Sequence, residues 1–300
     1  MKLPDLAELI ALRGAANGLS LRARRPALAQ LQGSYRSAQR GRGMEFEEVR
    51  QYVAGDDARS IDWRVTARRG RTHTKLFREE RERPVWLVAD LHSGLYFGSK
   101  LQYKSALLVR AAALLGWVAV LGGDRLGAVI ANGKDAPLVF RPRAREAGVL
   151  PILQALENAQ PSAPGAPDQT GLNRSLTVLR PLLQHGSLVL ILSDFNGLDA
   201  QTELILAGGT IHSDFRLLWI TDPLERTGLP AGTFRLGLPD RIWWLDGNHS
   251  RTQWRDTWAQ RERRIEAVAH RYRLPLNCLD TGQPMVQTLP ALLREPRWAA

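Results

Sequence analysis

The stretch Pro84-Val85-Trp86-Leu87-Val88-Ala89-Asp90 constrains the fold more than any other part of the chain. Every residue between the proline and the aspartate is apolar. That is the pattern of a strand buried on both faces, and such strands belong to parallel sheets covered by helices. The run ends in a carboxylate and a short turn, Leu91-His92-Ser93-Gly94. A helical stretch from Lys100 to Leu121 and a second apolar strand, Arg125–Ala131, complete a βαβ unit, whose crossover packs a helix on the sheet. Further on, Ser187-Leu188-Val189-Leu190-Ile191-Leu192-Ser193-Asp194 repeats the pattern of a buried strand ending in an acid. In open parallel sheets, ligands bind where the loops at the carboxyl ends diverge. Asp90 and Asp194 are therefore expected to converge on one rim of the sheet and to form a docking edge there.

The remaining segments fit the same plan. Leu3 to Arg13 reads as an amphipathic helix with Asp5 and Glu8 in its first turn, stopped by Gly14 to Gly18. Leu19 to Arg42 reads as an extended, arginine-rich arm, and Thr72 to Arg78 as a strand. After Arg125–Ala131, the Asn132-Gly133 turn lets Lys134 to Arg141 return antiparallel at the sheet edge. Ala144–Asn158, Leu172–Gln184 with a kink at Pro181, and Leu198–Ala207 are helical, and Phe215–Thr221 is a strand. A hairpin (Gly232–Leu238 and Arg241–Asp246), a long helix (Ser250–Tyr272) and a last strand (Leu276–Leu279) follow. The predicted fold class is α/β: a doubly wound, mostly parallel sheet with one antiparallel edge strand, preceded by an N-terminal helix, an arm and a small charged insertion. Residues 1–83 are expected to pack on a main domain spanning 84–300.

Charge narrows the partners. The formal net charge is +11, and residues 1–84 contribute +7 of it, so this surface attracts acidic proteins, nucleic acid or anionic lipid. Cys278 is the single cysteine, which excludes an internal disulfide and agrees with a reducing compartment. The first ten residues carry two acids where a leader needs an apolar run, and Ala111–Gly123 is shorter than the roughly 20 residues of a membrane span. A soluble, cytoplasmic protein is expected. Serine-hydrolase elbows, His-Glu-x-x-His zinc motifs and phosphate-binding Gly-x-x-x-x-Gly-Lys loops do not occur.

Between residues 41 and 69, acids and arginines alternate around single aromatics: Gly41-Arg42-Gly43-Met44-Glu45-Phe46, then Val49-Arg50-Gln51-Tyr52, Gly55-Asp56-Asp57, Arg59-Ser60-Ile61-Asp62-Trp63 and Ala67-Arg68. These motifs read as an ion-paired surface that pins the insertion, with a turn and helix cap at Gly55-Asp56-Asp57. In this order, followed by a strand ending in Asp, they resemble the bacterial family called domain of unknown function 58, whose members carry a von Willebrand factor A-like domain. The resemblance implies a doubly wound sheet and a partnership with a MoxR-type AAA+ ATPase in maturing a client protein.

It also implies a site. In von Willebrand A domains this sheet edge holds a divalent cation through an Asp-x-Ser-x-Ser turn, a threonine from a neighbouring loop and a later aspartate. The matching positions here are Asp90, Thr170 and Asp194, but the two serine positions read His92 and Gly94, with Ser93 out of step. The site is degenerate for Mg²⁺ or another divalent cation, which takes about six oxygens, whereas imidazole suits softer metals. His92, Ser93, Asp56, Asp57, Arg59, Asp62, Trp63 and Arg68 are the candidate partner-binding residues. The expected function is a non-enzymatic interaction module. The alternatives are a nucleic-acid binder carried by charge, and a metal-dependent hydrolase or nuclease using Asp56, Asp57 and Asp62.

Overall fold

The computed structural model describes residues 1–21, 44–53, 58–79, 82–133, 136–238 and 241–294. The chain divides into two compact units, Met1–Ala29 together with Arg83–Ala300, and Gln30–Glu82. The N-terminal helices thus group with the main sheet.

In the larger unit, Asp5 caps α1 (Leu6–Ala11) by accepting from the Glu8 amide at 2.9 Å, and α2 (Arg13–Ala16) follows after one residue. Helix therefore continues through Gly14, where a stop is expected; the left-handed residue is Gly18, at φ 77°. The predicted arm from Leu19 to Arg42 lies outside the described residues beyond Leu21.

The smaller unit is built on β1 (Met44–Gln51), which pairs antiparallel with β2 (His73–Glu79). The alternation of sequence does not reveal β1, because the register shifts between Phe46 and Glu48, and such a bulge breaks the period of two. Between them lies α3 (Trp63–Arg69), capped by Asp62, whose carboxylate accepts from the Arg64 and Val65 amides, and closed by Gly70 at φ 70°. The cap expected at Gly55-Asp56-Asp57 lies outside the described residues, apart from this one at Asp62.

The main sheet has six strands in the order β10-β7-β6-β3-β4-β5. They are β3 (Pro84–Asp90), β4 (Arg125–Ala131), β5 (Leu138–Arg143), β6 (Leu188–Ser193), β7 (Asp214–Thr221) and β10 (Leu276–Asp280). All neighbours run parallel except β5, which is antiparallel to β4 at the edge. Strand β3 is buried at all seven positions, as its unbroken apolar run requires. Its side chains divide by period two. Val85, Leu87 and Ala89 enter one core, with α1, α4 (Lys104–Leu121), α5 (Glu146–Asn158) and α10 (Met285–Arg294). Trp86 and Val88 enter the other, with α6 (Gly171–Leu179), α7 (Ala200–Gly209) and α9 (Gly247–Arg271). Helices therefore cover both faces.

By length and composition α4 could cross a membrane, but 89% of its span is buried inside the protein, so it is the core helix of the crossover between β3 and β4. It begins at Lys104 rather than Lys100, since residues 97–103 form a loop. The helix at Leu172 gives way after Leu179 to a 3-10 turn, Arg180–Leu182, where Pro181 removes an amide donor. A short α8 (Pro223–Thr227) follows β7, and β8 (Thr233–Leu238) pairs with β9 (Arg241–Asp246) as the expected hairpin. Sequence reading does not anticipate α8 or α10, and α10 carries Pro290 in its interior.

Connections from β3 and β6 leave in opposite directions, since β3 leads to β4 on one side and β6 leads to β7 on the other. The switch point therefore falls between the carboxyl ends of β3 and β6.

Candidate functional site

Four neighbouring parallel strands bring an acid to this one edge: Asp90 ends β3, Asp194 follows β6, Asp222 follows β7 and Asp280 ends β10. The expected convergence at the switch point is present. Donor atoms of Asp90, His92 and Asp194 lie within 4.8 Å of one another. The expected openness is not. All three residues are only 1% exposed, and the segment that enters α6 packs against this edge at Ser93 and Asp90. Ser93 Oγ donates to the Ala166 carbonyl at 2.9 Å, and a Cβ at Gly171 would stand 2.9 Å from both Asp90 Oδ1 and Asp168 Oδ2.

The buried charges neutralise each other. Lys104, itself 1% exposed, places Nζ 3.1 Å from Asp194 Oδ2 and 2.8 Å from Glu225 Oε1. Arg261 donates to the Asp194 carbonyl and holds its guanidinium 3.7 Å from Asp194 Oδ1. Asn196 donates to the same carboxylate through its amide and its side chain. Burial alone would raise the Asp194 carboxyl, but Lys104, His92 and Arg261 hold it well below the usual range. His92 Nε2 lies 3.6 Å from Asp194 Oδ1; burial opposes its charge, but the carboxylates of Asp194 and Asp90 prevail and raise its pKa. Asp90 has weaker support. Its Oδ2 accepts from Ser193 Oγ at 2.6 Å, its Oδ1 has no hydrogen-bond partner, and burial pushes its carboxyl up to about 6.

The chain of ion pairs continues to the next strand tip. Glu225 Oε2 accepts from the Asp222 amide at 3.0 Å in the capping box of α8. Asp222 accepts from Ser99 and from Thr281 Oγ1, and these donors outweigh burial and lower its pKa.

Thr170 takes a different place from the one expected. It is exposed, and its Oγ1 donates to Asp168 Oδ1 at 2.8 Å instead of joining Asp90 and Asp194. Asp168, paired with Arg174 at 2.5 Å, is the acid of that loop that comes near Asp90. His92, expected to meet a partner, is enclosed, and Ser93 is half-buried against the covering segment. Arg59, Trp63 and Arg68 are exposed in the smaller unit, Trp63 at 69%, while Asp62 serves as the cap of α3. Asp56 and Asp57 lie outside the described residues.

Mg²⁺ does not fit these residues. It requires near-octahedral oxygen donors, whereas this edge supplies an imidazole at His92, no side chain at Gly94, and hydroxyls at Ser93 and Thr170 that are turned to other acceptors. Asp194 is already occupied by an ammonium and a guanidinium. The grouping of two carboxylates and one imidazole is a donor set for a softer ion.

Sequence reasoning misses Lys104, Asp168, Asp222, Glu225 and Arg261. A lysine opening an apolar helix directly after a strand-tip loop is a usable signal for Lys104. Arg261 is one of many arginines on α9 and carries none. Beside the closed edge lies a cavity of about 420 Å³ that shares Glu225 and Arg261 with the ion-pair chain and is lined by Leu245, Gln253, Trp254 and Trp258 as well.

Comparison with known proteins places the chain among relatives of undefined role. It is 45% identical to uncharacterized proteins of Mycobacterium bovis and Mycobacterium tuberculosis over 93 residues, 31% of this chain and 29% of theirs, so the match spans less than a third of those relatives. Among solved structures it is similar to the conserved hypothetical protein BatB of Bacteroides thetaiotaomicron (TM-score 0.44, 8% identity). It is also similar to an aerotolerance-related membrane protein of Bacteroides fragilis (TM-score 0.45, 9% identity). Each covers 71% of this chain and 98% of the other. The model of one family, described as protein of unknown function DUF58, matches residues 48–268, and the chain belongs to that family.

Proposed function

We propose that the protein is a non-enzymatic docking module of von Willebrand A-like fold, an adaptor that works in the cytoplasm beside a MoxR-type AAA+ ATPase in maturing a client protein. One observation carries the reading: at the switch point, where an α/β sheet presents its reactive groups, the charged side chains are shut off from solvent and Asp194 is held by cations of the protein itself. Lys104 spans Asp194 and Glu225, Arg261 covers Asp194, and Asp90, His92 and Asp194 are closed to solvent. A catalytic acid or base must come within hydrogen-bond reach of its substrate. The opening next to this edge presents mostly carbon surface, with Trp254, Trp258 and Leu245 set among Glu225, Gln253 and Arg261, and no histidine or cysteine is among the residues that line it. Such a surface binds rather than reacts. The edge works without Mg²⁺, because Lys104 supplies the positive charge that a bound cation would bring. The partner class rests on the resemblance carried by the charged motifs of residues 41–69.

The test is purification of the tagged full chain from its own cells at low salt, with co-purifying proteins identified by mass spectrometry. A MoxR-type ATPase in comparable amount is the expected result, and its absence overturns the reading. The net charge of +11 favours a second reading, nucleic-acid binding. That reading predicts retention on immobilised DNA that falls steeply with salt.

A further inference from the structure

An open surface of the larger unit lies beside the closed strand tips, in the cavity of about 420 Å³ bordered by α8, β9 and α9. Trp254 and Trp258 stand one helical turn apart on α9 and line it together with Leu245. The two indoles differ. Trp254 Nε1 donates to the Glu225 carbonyl at 2.8 Å, while Trp258, 6% exposed, stacks on Trp219 at 5.0 Å and has no acceptor for Nε1. Arg261, also on the lining, leaves its Nε without an acceptor. Both nitrogens are enclosed, so what the cavity presents to an incoming group is mostly carbon surface.

The surrounding charge defines what can enter. Helix α9 carries six arginines against three acids. Arg226 lies 5.9 Å over the Trp258 ring, and Arg251 and Arg255 follow the same helix face. The single acid on the lining, Glu225, is spent on Lys104.

We propose that this cavity is a docking pocket for an acidic peptide segment of a protein partner, which seats one apolar side chain between Trp254, Trp258 and Leu245 and sets its acids against Arg226, Arg251 and Arg255. The inference rests on the docking reading above and names the surface that does the docking. Because Arg261 also binds the Asp194 carbonyl, an occupied pocket is connected directly to the strand tip.

The experiment is a fluorescence titration of the full chain with eight-residue peptides that place one Leu, Phe or Trp among glutamates; lysine counterparts and a single-stranded oligonucleotide serve as controls. Saturable binding of a glutamate peptide, weakened about tenfold by Trp258→Phe and abolished by Thr257→Trp, supports the proposal. Thr257 sits on the exposed rim, so filling the cavity there leaves the fold in place, which circular dichroism verifies. Absence of binding, binding that both variants leave unchanged, or tighter binding of the lysine peptides or the oligonucleotide overturns it. If Thr257→Trp still co-purifies with the ATPase, the pocket assignment fails and the adaptor reading stands. If the wild-type chain binds the peptide but recovers no ATPase, the pocket stands and the adaptor reading fails.

Discussion

Replacing Lys104 by methionine removes the one charge that the buried Asp194 and the half-buried Glu225 share. Its Nζ lies 3.1 Å from Asp194 and 2.8 Å from Glu225, and both Lys104 and Asp194 are 1% exposed. Breaking a buried pair by deleting one partner costs about 3–5 kcal/mol, because the other charge stays behind without compensation. Asp194 keeps Arg261 and the two Asn196 donors, so the lower end applies, about 3 kcal/mol. For a unit of this size, that corresponds to a fall in Tm of roughly 6–12 °C. The pH dependence has a definite sign. In the wild type the depressed Asp194 pKa gives stability that is full above the unfolded value near 4 and is lost as pH falls through the folded value. In Lys104→Met one of the cations that depress the Asp194 pKa is gone, so less of that stability is present at neutral pH. The gap between the two proteins is therefore full at neutral pH and narrows as pH falls below about 4. Urea unfolding followed by tryptophan fluorescence at several pH values measures it, and adding Asp194→Asn to the variant recovers part of the loss. A gap below about 1 kcal/mol at neutral pH, or one that does not change with pH, refutes the reasoning.

Four more outcomes follow from the same geometry. Asp90, with its carboxyl raised to about 6, binds its proton more tightly in the folded state, so its charge weakens the fold as pH rises from about 4 through that value; Asp90→Asn, which can still accept from Ser193, gains up to about 3 kcal/mol at pH 8, about half of that at pH 5 and little below pH 4 in urea unfolding. Gly171→Ala puts a Cβ 2.9 Å from Asp90 Oδ1 and Asp168 Oδ2 and lowers stability by about 1–3 kcal/mol, read from the same curves. Asp62→Ala removes the cap of α3 for a loss of about 1 kcal/mol, confined in hydrogen exchange to the smaller unit. Added Mg²⁺ at millimolar concentration leaves Tm unchanged, whereas a specific site would raise it by mass action.

The parts of the fold that were legible in sequence are those in which one residue pattern decides the outcome. Strands β3 and β6 are buried on both faces, so each is an unbroken apolar run, and the acid at its end stands out. The meeting of Asp90 with Asp194 follows from strand order alone. Strand β1 was hidden by its bulge, which puts Phe46 and Val49 out of step. Asp222 carries the same strand-then-acid signature as Asp194 and could have been found from it. The partners of Asp194 could not, because Lys104 and Arg261 reach it across 90 and 67 positions and only packing brings them together. Burial of the rim was equally hidden. It depends on the path of the segment around Gly165 and Ala166, a proline-rich loop with no period to read.

On the proposed reading, this closed edge belongs to a docking module that needs no bound cation. Isothermal titration of the purified chain, treated with EDTA and returned to metal-free buffer, against the purified MoxR-type ATPase tests it most directly. Saturable binding with the same affinity before and after metal removal is the predicted result. No binding, or binding that appears only when a divalent cation is restored to the chain, contradicts it.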